Sequence, residues 1–133
     1  MKKFIAFSVA ALFAANLFAG EYPDMSIKEL RKAIDEKKVV IIDVNGSKSY
    51  AKGHIPGAVD FDKAGKNLAK LLPKNKDALV VAYCGGPRCS AYKRAASAAE
   101  KLGYTNVKHL SAGISGWKKA GAELAKADKK KKK

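Results

Sequence analysis

The residues best placed for chemistry lie in the stretch VAYCGGPRCSAYKRAA, residues 81–96. It holds both cysteines of the chain, Cys84 and Cys89, separated by Gly85, Gly86, Pro87 and Arg88. An apolar run ends at Cys84 and an alanine-rich helical pattern starts at Ser90, which puts the loop between a strand and a helix. In open α/β sheets, ligands bind beyond the carboxyl ends of the strands. Glycines let a backbone curl so that its N–H groups surround an anion. The following helix N-terminus adds positive potential. Both effects favour a thiolate over a thiol, and the thiolate is the reactive form. Cys84 is thus the candidate nucleophile, and the Arg88 guanidinium can hold an anionic substrate beside it.

Other chemistries fit less well. A Cys-x5-Arg phosphatase loop needs arginine at position 90, which is Ser90. His54 and His109 are far from the cysteines in sequence, and no helix carries two ligands on one face, so neither a metal site nor a cofactor is expected. His54 is read as hydrogen-bonding within its own turn, and His109, near a strand end, as structural or exposed. Trp117, Tyr83 and Tyr104 are read as core or pocket wall.

The elements that position the loop follow from periodicity. Ser26-Ile-Lys-Glu29 has capping-box spacing and opens a helical pattern running to Lys37. Val39–Val44, a β-branched run with Asp43 near its end, and the apolar run Ala78–Tyr83 read as strands covered on both faces. Ser47–Lys52 is expected to make a helical turn, Gly53–Gly57 a turn, and Ala58–Phe61 a short extended piece. The Leu68, Leu71, Leu72 stripe predicts a helix over Asp62–Leu72, stopped by Pro73. Ser90–Leu102 is predicted helical with Gly103 as its cap, Val107–Leu110 a strand, and Gly116–Ala120 a last helical turn. Alternating strands and helices imply a three-layer α/β domain, a mostly parallel sheet with helices on both faces, over about residues 22–125.

The two ends differ from this domain. Lys2 and Lys3 precede the apolar run Phe4–Ala15, and small residues Ala19 and Gly20 follow, so residues 1–20 read as a secretory signal peptide and the expected location is the periplasm. Lys129–Lys133 end a tail, residues 126–133, whose like charges should keep it disordered. The formal net charge is +15, and loss of residues 1–20 removes two lysines and no acids, leaving +13. Without aromatic interleaving or a nucleic-acid-binding signature, this excess points to small anions, or to an anionic membrane surface through the lysine tail, and not to nucleic acid.

Four segments in order, VVIIDV (39–44), GHIPGA (53–58), VVAYC (80–84) and GYTNVKHLSAGISGWKKAG (103–121), resemble a single-domain rhodanese. The resemblance implies a sulfurtransferase, and separately the chain is expected to act as a monomer. Cys84 would take a sulfane sulfur from thiosulfate or a persulfide, hold it as a persulfide, and pass it to a thiol acceptor. The amides of Gly85, Gly86, Arg88, Cys89 and Ser90 would stabilise the sulfur anion, with Asp43 and His54 as supporting residues that match the family. The loop departs from the family's usual CxxGxR: Pro87 stands where the loop glycine would be, Cys89 where the arginine would be, and Asn45 replaces the arginine of a common DVR. Cys89 is left with three readings. It can be a thiol that resolves a Cys84 persulfide by forming a disulfide, a plain disulfide partner, or a packing residue. Two other functions compete with sulfur transfer, a thiol–disulfide redox module using the same pair and a non-catalytic binding module on a rhodanese-like fold.

Overall fold

The computed structural model describes residues 22–126; the signal-type segment 1–20 and the lysine run 129–133 lie outside the described residues. The two apolar runs become the central strands β1 (Val40–Asp43) and β3 (Val80–Tyr83). All four side chains of β3 are buried, which only a strand covered on both faces requires. The short strands β2 (Val59–Asp60) and β4 (Val107–His109) flank them in the order β2-β1-β3-β4. Every pairing is parallel. The segment before the first helix runs along the outer side of β4. There the Met25 N–H donates to the His109 carbonyl at 2.8 Å, and the His109 N–H donates to the Pro23 carbonyl at 3.0 Å.

Alternation along the strands divides the core into two. Ile41, Val81 and Tyr83 face a cluster with Leu30, Ile55, Leu110 and Trp117. Ile42, Val80, Ala82 and Cys84 face the other, with Leu68, Ala95, Ala96 and Ala99. Helices α1 (Ile27–Asp35), α2 (Ser47–Lys52) and α6 (Gly113–Lys119) therefore cover one face. Helices α3 (Phe61–Ala64), α4 (Leu68–Leu71) and α5 (Tyr92–Lys101) cover the other. The result is the three-layer α/β arrangement expected from the alternation of elements.

Local signals explain most boundaries. Ser26 caps α1, its Oγ accepting the Glu29 N–H at 3.1 Å. Gly103, at φ +96°, closes α5, and the Tyr104 N–H returns to the Ala99 carbonyl at 3.1 Å. The predicted helix over 62–72 is broken. Gly65 takes φ +47°, and a 3-10 turn at Gly65–Asn67 separates α3 from α4. A left-handed glycine ends the first turn before the leucine stripe begins. The last helix starts at Gly113, three residues before the predicted start, for a reason that lies in the cysteine loop.

Candidate active site

Cys84 continues the side-chain alternation of β3, so its sulfur lies on the α5 side and the residue is only 3% exposed. The loop that follows is docked onto the start of α6. The Ile114 N–H donates to the Cys84 carbonyl at 3.0 Å and the Ser115 N–H to the Gly85 carbonyl at 2.9 Å. Two otherwise unpartnered helix-start donors are satisfied by loop carbonyls. This contact fixes where α6 begins. Gly113 has φ +61°, and a Cβ there would stand 2.5 Å from the Gly86 nitrogen and 2.7 Å from the Cys84 oxygen. A trans peptide sets N–H and C=O in opposite directions. With the Cys84 and Gly85 carbonyls aimed at α6, the Gly85 and Gly86 N–H groups are turned to the opposite side of the loop.

The loop then reverses. The Cys89 N–H donates to the Gly86 carbonyl at 3.0 Å across a turn with Pro87 and Arg88 at its centre. Proline's fixed φ suits the first central position of such a turn. Cys89 returns to Cys84 and the two form a disulfide, with Cα atoms 6.2 Å apart. That bond removes the reading of Cys89 as an unpaired packing residue. In this disulfide form the Cys89 amide, expected among the donors around the Cys84 sulfur, is committed to the turn. Helix α5 begins at Tyr92, not Ser90. Ser90 stays in the loop, its carbonyl accepting the Lys93 N–H at 3.1 Å.

Two pockets meet at this loop. One, about 200 Å³, is lined by residues including Cys84, Arg88, Cys89, Ser90, Lys93 and His109. The other is more open and lies between Gly85–Cys89 and Ser115. Arg88 and Cys89 border both. Among the described residues no carboxylate lines either pocket, so both present a neutral-to-positive wall to an anion. Asn45 is the other neighbour of the loop, its Oδ1 lying 3.9 Å from where a Cβ on Gly85 would be.

His109 was not legible as a site residue, because only the β3–β4 pairing brings it beside the cysteines. Its ring stacks on Tyr92 with centroids 4.2 Å apart, and its buried Nδ1 finds no hydrogen-bond partner among the described residues. Desolvation lowers its pKa from the ordinary histidine value; Asp24 opposes that shift and Lys93 adds to it. As pH falls, the unfolded chain takes up this proton before the folded one does. The histidine therefore costs no stability above about pH 6.5, and an increasing amount as pH drops below it towards the folded value. Chemical denaturation of wild type and His109→Gln between pH 7.5 and 5 should show a smaller acid loss in the variant. Parallel curves would count against this assignment.

Asp43 and His54 do not reach the sulfur. Asp43 is on the opposite side of the sheet from Cys84 and is 1% exposed. It accepts from the Tyr83 hydroxyl and, at 2.8 Å, from the Asn45 N–H. Burial raises its pKa, with the Tyr83 hydrogen bond acting against that rise. The Tyr83 hydroxyl in turn accepts the Ile55 N–H at 3.0 Å. His54 hydrogen-bonds the Tyr50 carbonyl through Nδ1 at 2.7 Å and stacks on the Tyr50 ring at 3.7 Å. The pair thus anchors the 53–58 turn and the end of β1, and bears on the loop through the backbone. Tyr83→Phe strips Asp43 of a donor and Ile55 of an acceptor. It should destabilise the domain by about 1–3 kcal/mol in urea titration; an unchanged midpoint would contradict the network.

The site thus consists of a buried cysteine at the carboxyl end of a central parallel strand of an α/β domain, with a glycine loop docked behind it. The rhodanese-like domain family model matches residues 26–120, and the chain belongs to that family. It is 32% identical over 112 residues to the HTH-type transcriptional regulator Rv0324 of Mycobacterium tuberculosis, covering 84% of this chain and 48% of that protein. The chain thus spans about half the length of that relative. The BH2092 protein of Bacillus halodurans superposes with a TM-score of 0.66 at 27% identity, covering 79% of this chain and 77% of that one. SseA of Escherichia coli, a 3-mercaptopyruvate sulfotransferase, shares the fold with a TM-score of 0.67 at 23% identity, covering 82% of this chain and 52% of that one.

Proposed function

We propose that this chain is a sulfurtransferase in which Cys84 accepts a sulfane sulfur from thiosulfate or a low-molecular-weight persulfide and yields it to a thiol acceptor. The observation that carries the reading is the position of Cys84 at the carboxyl end of β3, in a loop whose first carbonyls are tied to α6. With thiosulfate, the reduced Cys84 thiolate attacks the outer sulfur. The S–S bond breaks, sulfite leaves with the bonding pair, and the sulfane sulfur stays on Cys84 as a persulfide anion. The Gly85 and Gly86 amides, on the loop side away from α6, and the basic wall of Arg88 and Lys93 favour that anion. No cofactor is called for.

The test is a single turnover of the reduced protein with thiosulfate or glutathione persulfide. One equivalent of sulfite or glutathione per chain is expected, whatever becomes of the sulfur afterwards. No leaving group from either donor would overturn the reading. Residues 1–20 are taken to direct export to the periplasm; a full-length chain retained in the cytoplasm on fractionation would refute that.

A further inference from the structure

We propose that Cys89 resolves the Cys84 persulfide in cis whenever no external thiol takes the sulfur first, so that the chain then releases it as sulfide and closes the disulfide between the two residues. This makes it a persulfide-reducing enzyme recycled by an external dithiol, and the inference rests on Cys84 being the sulfur acceptor. Three features of the loop point the same way. The turn closed by the Cys89 N–H and the Gly86 carbonyl carries Cys89 back over Cys84, and the bond between them is made. Pro87 pre-sets that turn, so the proline and the second cysteine act together: one bends the loop and the other supplies a thiol at the end of the bend. The two sulfurs also differ in access. Cys84 is buried, whereas Cys89 is half-buried and borders both pockets.

The steps balance without an oxidant. The Cys89 thiol loses its proton and attacks the Cys84 Sγ. The bond from that Sγ to the outer sulfur breaks, and the outer sulfur departs with the electron pair and the proton as hydrosulfide. The two cysteine sulfurs together lose two electrons, which reduce the sulfane sulfur to sulfide. Arg88, bordering both pockets, offers a cation to the departing anion. Recycling has a set direction. A dithiol reaches the more exposed Cys89 first, forms a mixed disulfide there and expels the Cys84 thiolate, after which its second thiol frees Cys89.

The experiment compares reduced, desalted wild type, Cys89→Ser and Cys84→Ser after anaerobic addition of thiosulfate or glutathione persulfide. Sulfide and intact mass are followed. Wild type is expected to release about one equivalent of sulfide and end as the disulfide. Cys89→Ser should keep the added sulfur and release sulfide at least about tenfold more slowly until an external thiol is supplied. Equal persulfide lifetimes in wild type and Cys89→Ser would overturn the proposal while leaving Cys84 as the acceptor. No sulfur uptake by Cys89→Ser from either donor would overturn the acceptor role, and this inference with it. Sulfide release by Cys84→Ser at the wild-type rate would overturn both.

Discussion

Cys84→Ser is expected to retain the fold, take up no sulfur, and lose transfer by at least about a thousandfold. A serine hydroxyl stays protonated near neutral pH and forms no persulfide, so no residual route runs through position 84. The substitution also breaks the disulfide, and a cross-link closing so short a loop contributes roughly 2 kcal/mol. Cys89→Ser breaks the same bond and controls for that loss. Thermal melts of the two variants should shift together, while only Cys84→Ser loses release of sulfite from thiosulfate. Transfer surviving in Cys84→Ser would move the chemistry to another residue.

Gly113→Ala should be the most damaging of the glycine-to-alanine changes among the described residues. The added carbon would meet Gly86 nitrogen at 2.5 Å, the Gly85 carbonyl carbon at 2.6 Å and the Cys84 oxygen at 2.7 Å, all of them backbone atoms. A flexible side chain can swing aside; a loop held by hydrogen bonds from Ile114 and Ser115 cannot. Left-handed backbone strain adds to the overpacking, and together they amount to roughly 3 kcal/mol. For a domain of this size that is a fall in melting temperature on the order of 10–20 °C. The same methyl pushes the loop off α6 and should slow sulfur uptake at temperatures where the variant is still folded. Gly121→Ala, also at a positive φ of +69° but with no described atom within 4 Å, isolates the strain from the clash and should cost much less. Equal losses at the two positions would refute the docking role of Gly113.

The sheet was legible in the sequence because β3, and β1 up to Asp43, are apolar at consecutive positions, as doubly covered strands are. Ser26 and Gly103 likewise announce a helix start and a helix end through local chemistry. The errors fall where tertiary contacts decide. The start of α6 depends on the cysteine loop lending it two carbonyls, which no local pattern encodes. Gly65 carried a signal that the leucine stripe outweighed, although a glycine able to take a positive φ can end a helix in one turn. At the site, Cys84 and its loop were readable from their place after an apolar strand. The pairing of Cys89 stayed undecided because a spacing of five residues permits a disulfide but does not require the turn that makes it. His109 was read as structural or exposed but not linked to the cysteines, since its nearness to them comes from strand pairing and not from chain distance.

The transferred sulfur is expected to rest on the Sγ of Cys84. The direct measurement is intact mass and peptide mapping of reduced Cys89→Ser after exposure to thiosulfate or glutathione persulfide, because that variant cannot discharge the sulfur internally. The account predicts a gain of one sulfur atom, located on the peptide containing Cys84 and removed by cyanide. An unchanged mass with both donors, or a sulfur located on any other peptide, would contradict it.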